Sequence, residues 1–180
     1  MLELKDVTLT LGGRTLFERL SLMAQDNQMT CITGPAGSGK TALVMAMLGF
    51  LPLDEGLVSV DGELLTPLSA PTFRQLMAYV PQKRPVTISQ PEVDTAGLET
   101  VWSPFNSRRA VLTAIDEHLE VAPMVSKPII IVDDPEPSMV GMLKSLSCSN
   151  HTVVVTSQLK EFINLSDKVI TLGNHDTNIS

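Results

Sequence analysis

Apolar positions change their spacing several times along the chain, and each change marks an expected element. Val7-Thr8-Leu9-Thr10-Leu11 alternates with period two, Gly12-Gly13 signals a turn, and Leu20-Ser21-Leu22 alternates again before Asp26-Asn27. This pattern predicts a small antiparallel sheet. Gln28 to Thr33 reads as a short strand that runs into a glycine-rich loop. From Thr41 to Phe50 the chain is almost wholly apolar, without proline or alternation, which predicts a buried helix. Gly56 to Val60 returns to strand, Asp61-Gly62 makes a turn, and Met77-Ala78-Tyr79-Val80 is a strand stopped by Pro81.

Between about Gln82 and Ser107 the periodicity is lost and Pro85, Pro91 and Pro104 accumulate, so loops or short irregular pieces are expected. Helical spacing resumes near Arg108, with Val111, Leu112, Ile115 and Leu119 on one face. Ile129-Ile130-Ile131-Val132 is a continuous β-branched run, the pattern of a parallel strand buried on both faces. Met139, Met142, Leu143 and Leu146 predict a helix, Thr152 to Thr156 a strand, Gln158 to Leu165 a helix and Val169 to Leu172 a last strand. Strands alternating with helices imply an α/β fold with a parallel sheet flanked by helices, preceded by the small N-terminal antiparallel unit.

Composition narrows the picture. The chain has 180 residues, the length of one domain, and at 43% hydrophobic it can bury a core without disulfide or metal staples. Its two cysteines, Cys31 and Cys148, match no metal-ligand spacing and read as reduced thiols of a cytosolic protein. The charged start and the lack of any run near the roughly 18 apolar residues of a membrane span argue against a signal peptide or a transmembrane helix. A formal net charge of −7, with only Lys83-Arg84 and Arg108-Arg109 as basic pairs, argues against nucleic acid as a partner. His118 and His151 lack a second ligand at metal spacing, and the methionines fall at core positions of helices and strands. His175 to Asn178 reads as a frayed tail.

The chemistry lies in the loop Gly34-Pro35-Ala36-Gly37-Ser38-Gly39-Lys40-Thr41, which fits G-x-x-x-x-G-K-[ST] between an expected strand and an expected helix. Glycines let the backbone wrap a phosphate, and successive N–H groups with the helix N-terminus supply positive potential. Lys40 reaches the β- and γ-phosphates, and the Thr41 hydroxyl is a Mg²⁺ ligand. A partner acid is expected at the end of another buried strand, and Ile129 to Val132 leads into Asp133-Asp134-Pro135. Taken alone, Asp133 could cap the following turn with Asp134 solvated. Beside a phosphate loop, Asp133 is the candidate Mg²⁺ holder.

In this order the landmarks resemble the ATP-binding subunits of ABC transporters. Leu9 to Leu22 is similar to the opening hairpin of that family, and Asp54 to Gly62 to the strand and turn after its first helix. Ala78-Tyr79-Val80-Pro81-Gln82 resembles the Q-loop, Ile129 to Pro135 the Walker B region, and Asp167 to Asn174 the closing strand and turn. The resemblance implies one nucleotide-binding domain over residues 1–180, with a trimmed helical subdomain at about 83–127. It implies Mg²⁺ and water contacts for Gln82, the catalytic-base position for Asp134, and the adenine-stacking position for Leu11. It also implies ATP and Mg²⁺ as cofactors, an ATP-dependent homo- or heterodimer, and a membrane-spanning partner that brings a cytoplasmic subunit to the inner face of the membrane.

Departures from the family pattern are equally informative. No Leu-Ser-Gly-Gly-Gln signature is present, and its positional counterpart Ser103-Pro104-Phe105-Asn106-Ser107 lacks both glycines. Ser157 stands where a switch histidine is expected, and it can hydrogen-bond a phosphate or water without carrying charge. Asp134 is one methylene shorter than the family's glutamate, and misplacing a base by about 1 Å costs on the order of 100-fold in rate. Leu11 offers adenine apolar contact without a π-face. Three functions follow: an ATPase subunit driving a membrane partner, a degenerate nucleotide-binding regulatory module, or a small-molecule kinase for which no acceptor site is visible. Trp102 and Phe105 serve either as docking anchors or as packing for the trimmed subdomain.

Overall fold

Why Ile129 to Val132 carries no polar residue is plain from the two layers that cover it. In the computed structural model, which describes residues 1–82 and 126–173, this run belongs to a parallel sheet with apolar cover on both faces. Its strands are β3 (Gln28–Thr33), β6 (Met77–Val80), β7 (Ile129–Asp133), β8 (Thr152–Thr156) and β9 (Lys168–Thr171), in the order β6-β7-β8-β3-β9. Successive side chains alternate between faces. Ile32, Ile129, Ile131 and Val154 join one core cluster, while Cys31, Ile130, Val132, Val153 and Val155 join the other.

The first face is covered by helix α1 (Lys40–Met47), through Leu43, Val44 and Met47, and by the antiparallel sheet. That sheet comprises β1 (Leu2–Leu11), β2 (Arg14–Ala24), β4 (Glu55–Val60) and β5 (Glu63–Leu64), in the order β2-β1-β4-β5. Leu143 of α3 (Val140–Ser147) and Phe162 of α4 (Lys160–Leu165) cover the second face. Lys144 of α3 bonds Asp167 at 2.7 Å, and the Met29 N–H donates to the same carboxylate at 2.8 Å. These bonds hold the Asp167 carboxyl below its usual range and tie α3 to the start of β9.

Several boundaries differ from those expected, each for a tertiary reason. The antiparallel strands run longer because bulges keep the apolar residues inward after the alternation breaks. Asp6 and Arg19 take left-handed φ values of 49° and 48°, so Leu2, Leu4, Val7 and Leu9 all face the core despite the extra residue between Leu4 and Val7. Helix α1 starts at Lys40 and stops at Met47, and α4 starts at Lys160, leaving Gln158 in the preceding loop. Strand β5 and helix α2 (Ala70–Arg74) had no counterpart in the periodicity, being only two and five residues long. The irregular stretch 83–107, the helix near Arg108, His118, the helical subdomain apart from Ser126 and Lys127, and the tail 174–180 lie outside the described residues.

The bulge at Asp6 makes Gly56 indispensable. A Cβ at Gly56, whose φ is 85°, would lie 2.4 Å from the Asp6 carbonyl oxygen and 2.6 Å from that of Lys5. Backbone cannot yield as a flexible side chain does. Gly56→Ala is therefore expected to destabilise the fold by about 2–3 kcal/mol, combining positive-φ strain with the opening of the β1–β4 ladder. Urea unfolding checks this, and a loss below about 0.5 kcal/mol, typical of a surface position, would contradict it.

Candidate functional site: a phosphate loop and a buried carboxylate

The C-terminal ends of β3, β8 and β7 lie side by side, and the candidate residues leave the sheet there. Ile32 pairs with Thr156, and Thr156 in turn pairs with Asp133, so a single residue of β8 separates the loop strand from the acid-bearing strand. Gly34 to Gly39 follow β3 and deliver Lys40 and Thr41 to the first turn of α1. The turn closes against β2, since a Cβ on Gly39 would come 3.1 Å from the Leu16 Cβ. At Gly34 the requirement is stricter: φ is 148°, and a Cβ would sit 2.5 Å from the Leu172 carbonyl oxygen at the end of β9.

Lys40 curls over the loop that precedes it. Its ammonium donates to the Gly34 carbonyl at 2.7 Å and to the Pro35 carbonyl at 3.0 Å. The Thr41 hydroxyl donates to Asp133 Oδ2 at 2.8 Å, while Asp133 Oδ1 accepts the Thr156 hydroxyl. Asp133 is buried at 4% exposure, and among the described residues no lysine or arginine forms an ion pair with it. A carboxylate in such a place demands compensation for lost hydration. Paired with a hydroxyl oxygen, it forms the hard oxygen donor set that suits Mg²⁺, which takes one or two carboxylates together with substrate phosphates. The residues present therefore fit that ion. The turn-capping alternative does not describe Asp133, whose two bonds run to hydroxyls on α1 and β8. Tyr79 of the adjoining β6 is pushed above the usual phenol range by burial and by the Asp133 carboxylate, so it stays neutral.

Asp134 lies one residue beyond, exposed and at a left-handed φ of 53°. Its N–H is anchored to the Thr156 carbonyl at 2.9 Å and to the Thr156 hydroxyl at 3.0 Å. Its carboxylate accepts the Gln82 side-chain amide at 2.5 Å. The candidate base and the candidate Q-loop residue are thus brought into contact with each other. Leu11 ends β1 opposite Arg14 at the hairpin turn, 41% exposed, where it can meet a base only by apolar contact.

Ser157 is turned away from the loop. It is fully buried, its N–H donates to the Ile32 carbonyl at 3.0 Å, and its hydroxyl accepts the Leu159 N–H at 3.2 Å. The neighbour, Gln158, reaches the loop instead, donating to the Gly34 carbonyl at 2.6 Å. Periodicity had placed Gln158 inside a helix. No sequence signal singles it out, because the strand it follows is set beside β3 only in the folded sheet. Cys31, on the face of β3 away from α1, has its thiol pushed up to about 11 by burial, which suits a packing role. The remaining cysteine, Cys148, is exposed and free.

A glycine-rich loop between a strand and a helix, with lysine and threonine at the helix start and an acid on a strand one removed in the same parallel sheet, defines a P-loop nucleotide-binding protein. The chain is similar to the Fe(3+) ions import ATP-binding protein FbpC 2 of Pectobacterium atrosepticum, 37% identical over 46% of this chain and 24% of that protein. It is also similar to the zinc import ATP-binding protein ZnuC 1 of Hahella chejuensis, 30% identical over 69% of this chain and 44% of that protein. The chain thus spans less than half the length of either curated relative. The fold matches a dimeric ATP-binding cassette solved in a post-hydrolysis state with ADP and Pi, at a TM-score of 0.68 and 18% identity. That match covers 99% of this chain and 97% of the other. The ABC transporter family model matches residues 17–129. This chain belongs to that family, and its two sheets are those of an ATP-binding cassette.

Proposed function

We propose that the protein is the ATP-binding subunit of an ABC import system, binding Mg-ATP and hydrolysing it slowly to drive a membrane-spanning partner. The observation that carries this reading is the contact of Lys40, Thr41 and Asp133 around one loop at the C-terminal edge of the parallel sheet. The named import functions of the sequence relatives support the direction of transport. A regulatory module without turnover draws no support from those relatives.

Each residue has a definable task. Loop N–H groups and the start of α1 bind the β-phosphate, and Lys40 moves from the loop carbonyls onto the β/γ-phosphates. Thr41 and Asp133 hold Mg²⁺, with Gln82 as a third contact. When bound, the ion neutralises the charge that develops on the phosphoryl group. Asp134, held by Gln82, takes the proton of the attacking water, but a carboxylate one methylene short sits too far back for fast transfer. Among the described residues no helix is long and apolar enough to cross a membrane, which is consistent with a separate spanning partner.

The test is phosphate release by the purified full chain, with light scattering of Asp134→Asn in Mg-ATP. Release slower than about 1 per second is expected, below the usual range of about 1–1000 per second. Scattering by the variant reads whether ATP closes a dimer of this chain with itself or a second subunit is needed. Release inside the usual range by the chain alone would overturn the slow-turnover reading. A variant that dimerises with ATP points to a homodimer, and one that stays monomeric points to a heterodimer with a second subunit.

A further inference from the structure

Two carbonyl groups hold the Lys40 ammonium, and each already has a second donor. The Pro35 carbonyl accepts the Ser38 N–H at 3.2 Å as well as Lys40 at 3.0 Å. The Gly34 carbonyl accepts the Gln158 amide at 2.6 Å as well as Lys40 at 2.7 Å. Gly34 is buried, so a carbonyl left there without a donor is costly. Moving Lys40 onto a phosphate removes one donor from both carbonyls at once. With Ser38 and Gln158 in place, neither is orphaned.

We propose that Gln158 is a positioning residue that releases Lys40 for the nucleotide by keeping the Gly34 carbonyl hydrogen-bonded after the lysine departs. The assignment rests on the nucleotide-binding reading above and deepens it: Gln158 acts through Lys40 rather than on the phosphates. Its side chain is spent on the Gly34 carbonyl: the position before α4 that would cap the helix belongs to Leu159, and Gln158, two residues past the end of β8, reaches β3's loop. A donor at this point lowers the cost of exchanging the lysine between loop and ligand. It therefore sets affinity for nucleotides that carry a β-phosphate.

Two substitutions separate this role from packing. Gln158→Met keeps the length of the side chain and loses the donor. Gln158→Glu keeps the shape, loses the donor and places a carboxylate beside the Lys40 ammonium, which holds the lysine back. Calorimetric titration of the full chain with ADP is expected to show about tenfold weaker binding for Gln158→Met, the size of a buried hydrogen bond lost in the bound state. Gln158→Glu is expected to lose more than Gln158→Met, while thermal unfolding midpoints without nucleotide stay within about 2 °C of wild type, less than 1 kcal/mol of stability. ADP affinities within twofold of wild type in both variants would overturn the proposal. So would a Glu variant that binds as well as the Met variant, or midpoints that fall while affinity is retained. Wild-type protein that binds no ADP would instead overturn the nucleotide-binding reading, and this assignment with it.

Discussion

Replacing Lys40 by alanine is expected to abolish the thermal stabilisation that ATP confers. A ligand present at about 100 times its Kd stabilises the folded state by about 2.7 kcal/mol. For a chain of this size that raises the unfolding midpoint by about 5–10 °C. Alanine removes the only side chain of the loop that carries a formal positive charge to the β- and γ-phosphates. The variant itself should fold, because the Gly34 and Pro35 carbonyls that Lys40 occupies keep Gln158 and the Ser38 N–H as donors. Differential scanning calorimetry with and without millimolar ATP reads both quantities. An undiminished ATP shift in Lys40→Ala would remove the phosphate loop from the functional account.

The second large effect concerns the buried carboxylate. Asp133→Asn is expected to make ATP affinity indifferent to Mg²⁺, so that titrations in EDTA and in millimolar Mg²⁺ overlay, whereas the wild type binds more tightly with the ion. The substitution is nearly isosteric. Its oxygen still accepts one of the two hydroxyls, and its NH₂ donates to the other, since Thr41 and Thr156 can each accept a bond. Folding is therefore retained while the charge is lost. If Mg²⁺ sharpens ATP binding in the variant as much as in the wild type, Asp133 does not hold the ion. Asp133→Leu would be a poorer probe, because it would leave the buried Thr156 hydroxyl without its acceptor and confuse stability with affinity.

How much of this was legible depends on whether a residue's role is local. The candidate phosphate loop was legible because the chemistry proposed for it lies in eight consecutive residues whose spacing serves one local geometry. Ile129 to Asp133 was legible because a strand covered on both faces needs an unbroken apolar run, and a carboxylate at its end stands out. The pairing of Gln82 with Asp134 is different: the two are 52 residues apart, and only the β6–β7 ladder brings their ends together.

Sequence alone determined the main strands, the helices α1, α3 and α4, the candidate phosphate loop and the acid strand, because period and spacing follow directly from backbone geometry. The two-residue β5 and the five-residue α2 were too short to show a period. Sequence could not determine that Ser157 turns inward while Gln158 reaches the loop, since which side chain leaves a strand end toward a neighbour depends on where the strand stops. Nor could it single out Thr156. A threonine in a run of valines reads as one more β-branched strand residue. Only the β7-β8-β3 order sets its hydroxyl on Asp133 and its backbone beside the loop strand. Gly56 belongs with these, for its necessity arises from a bulge at Asp6, fifty residues earlier in the chain. Such residues owe their roles to neighbours distant in sequence. Strand order and close backbone approach are properties of the packed sheets, decided only when burial of both apolar faces selects one arrangement.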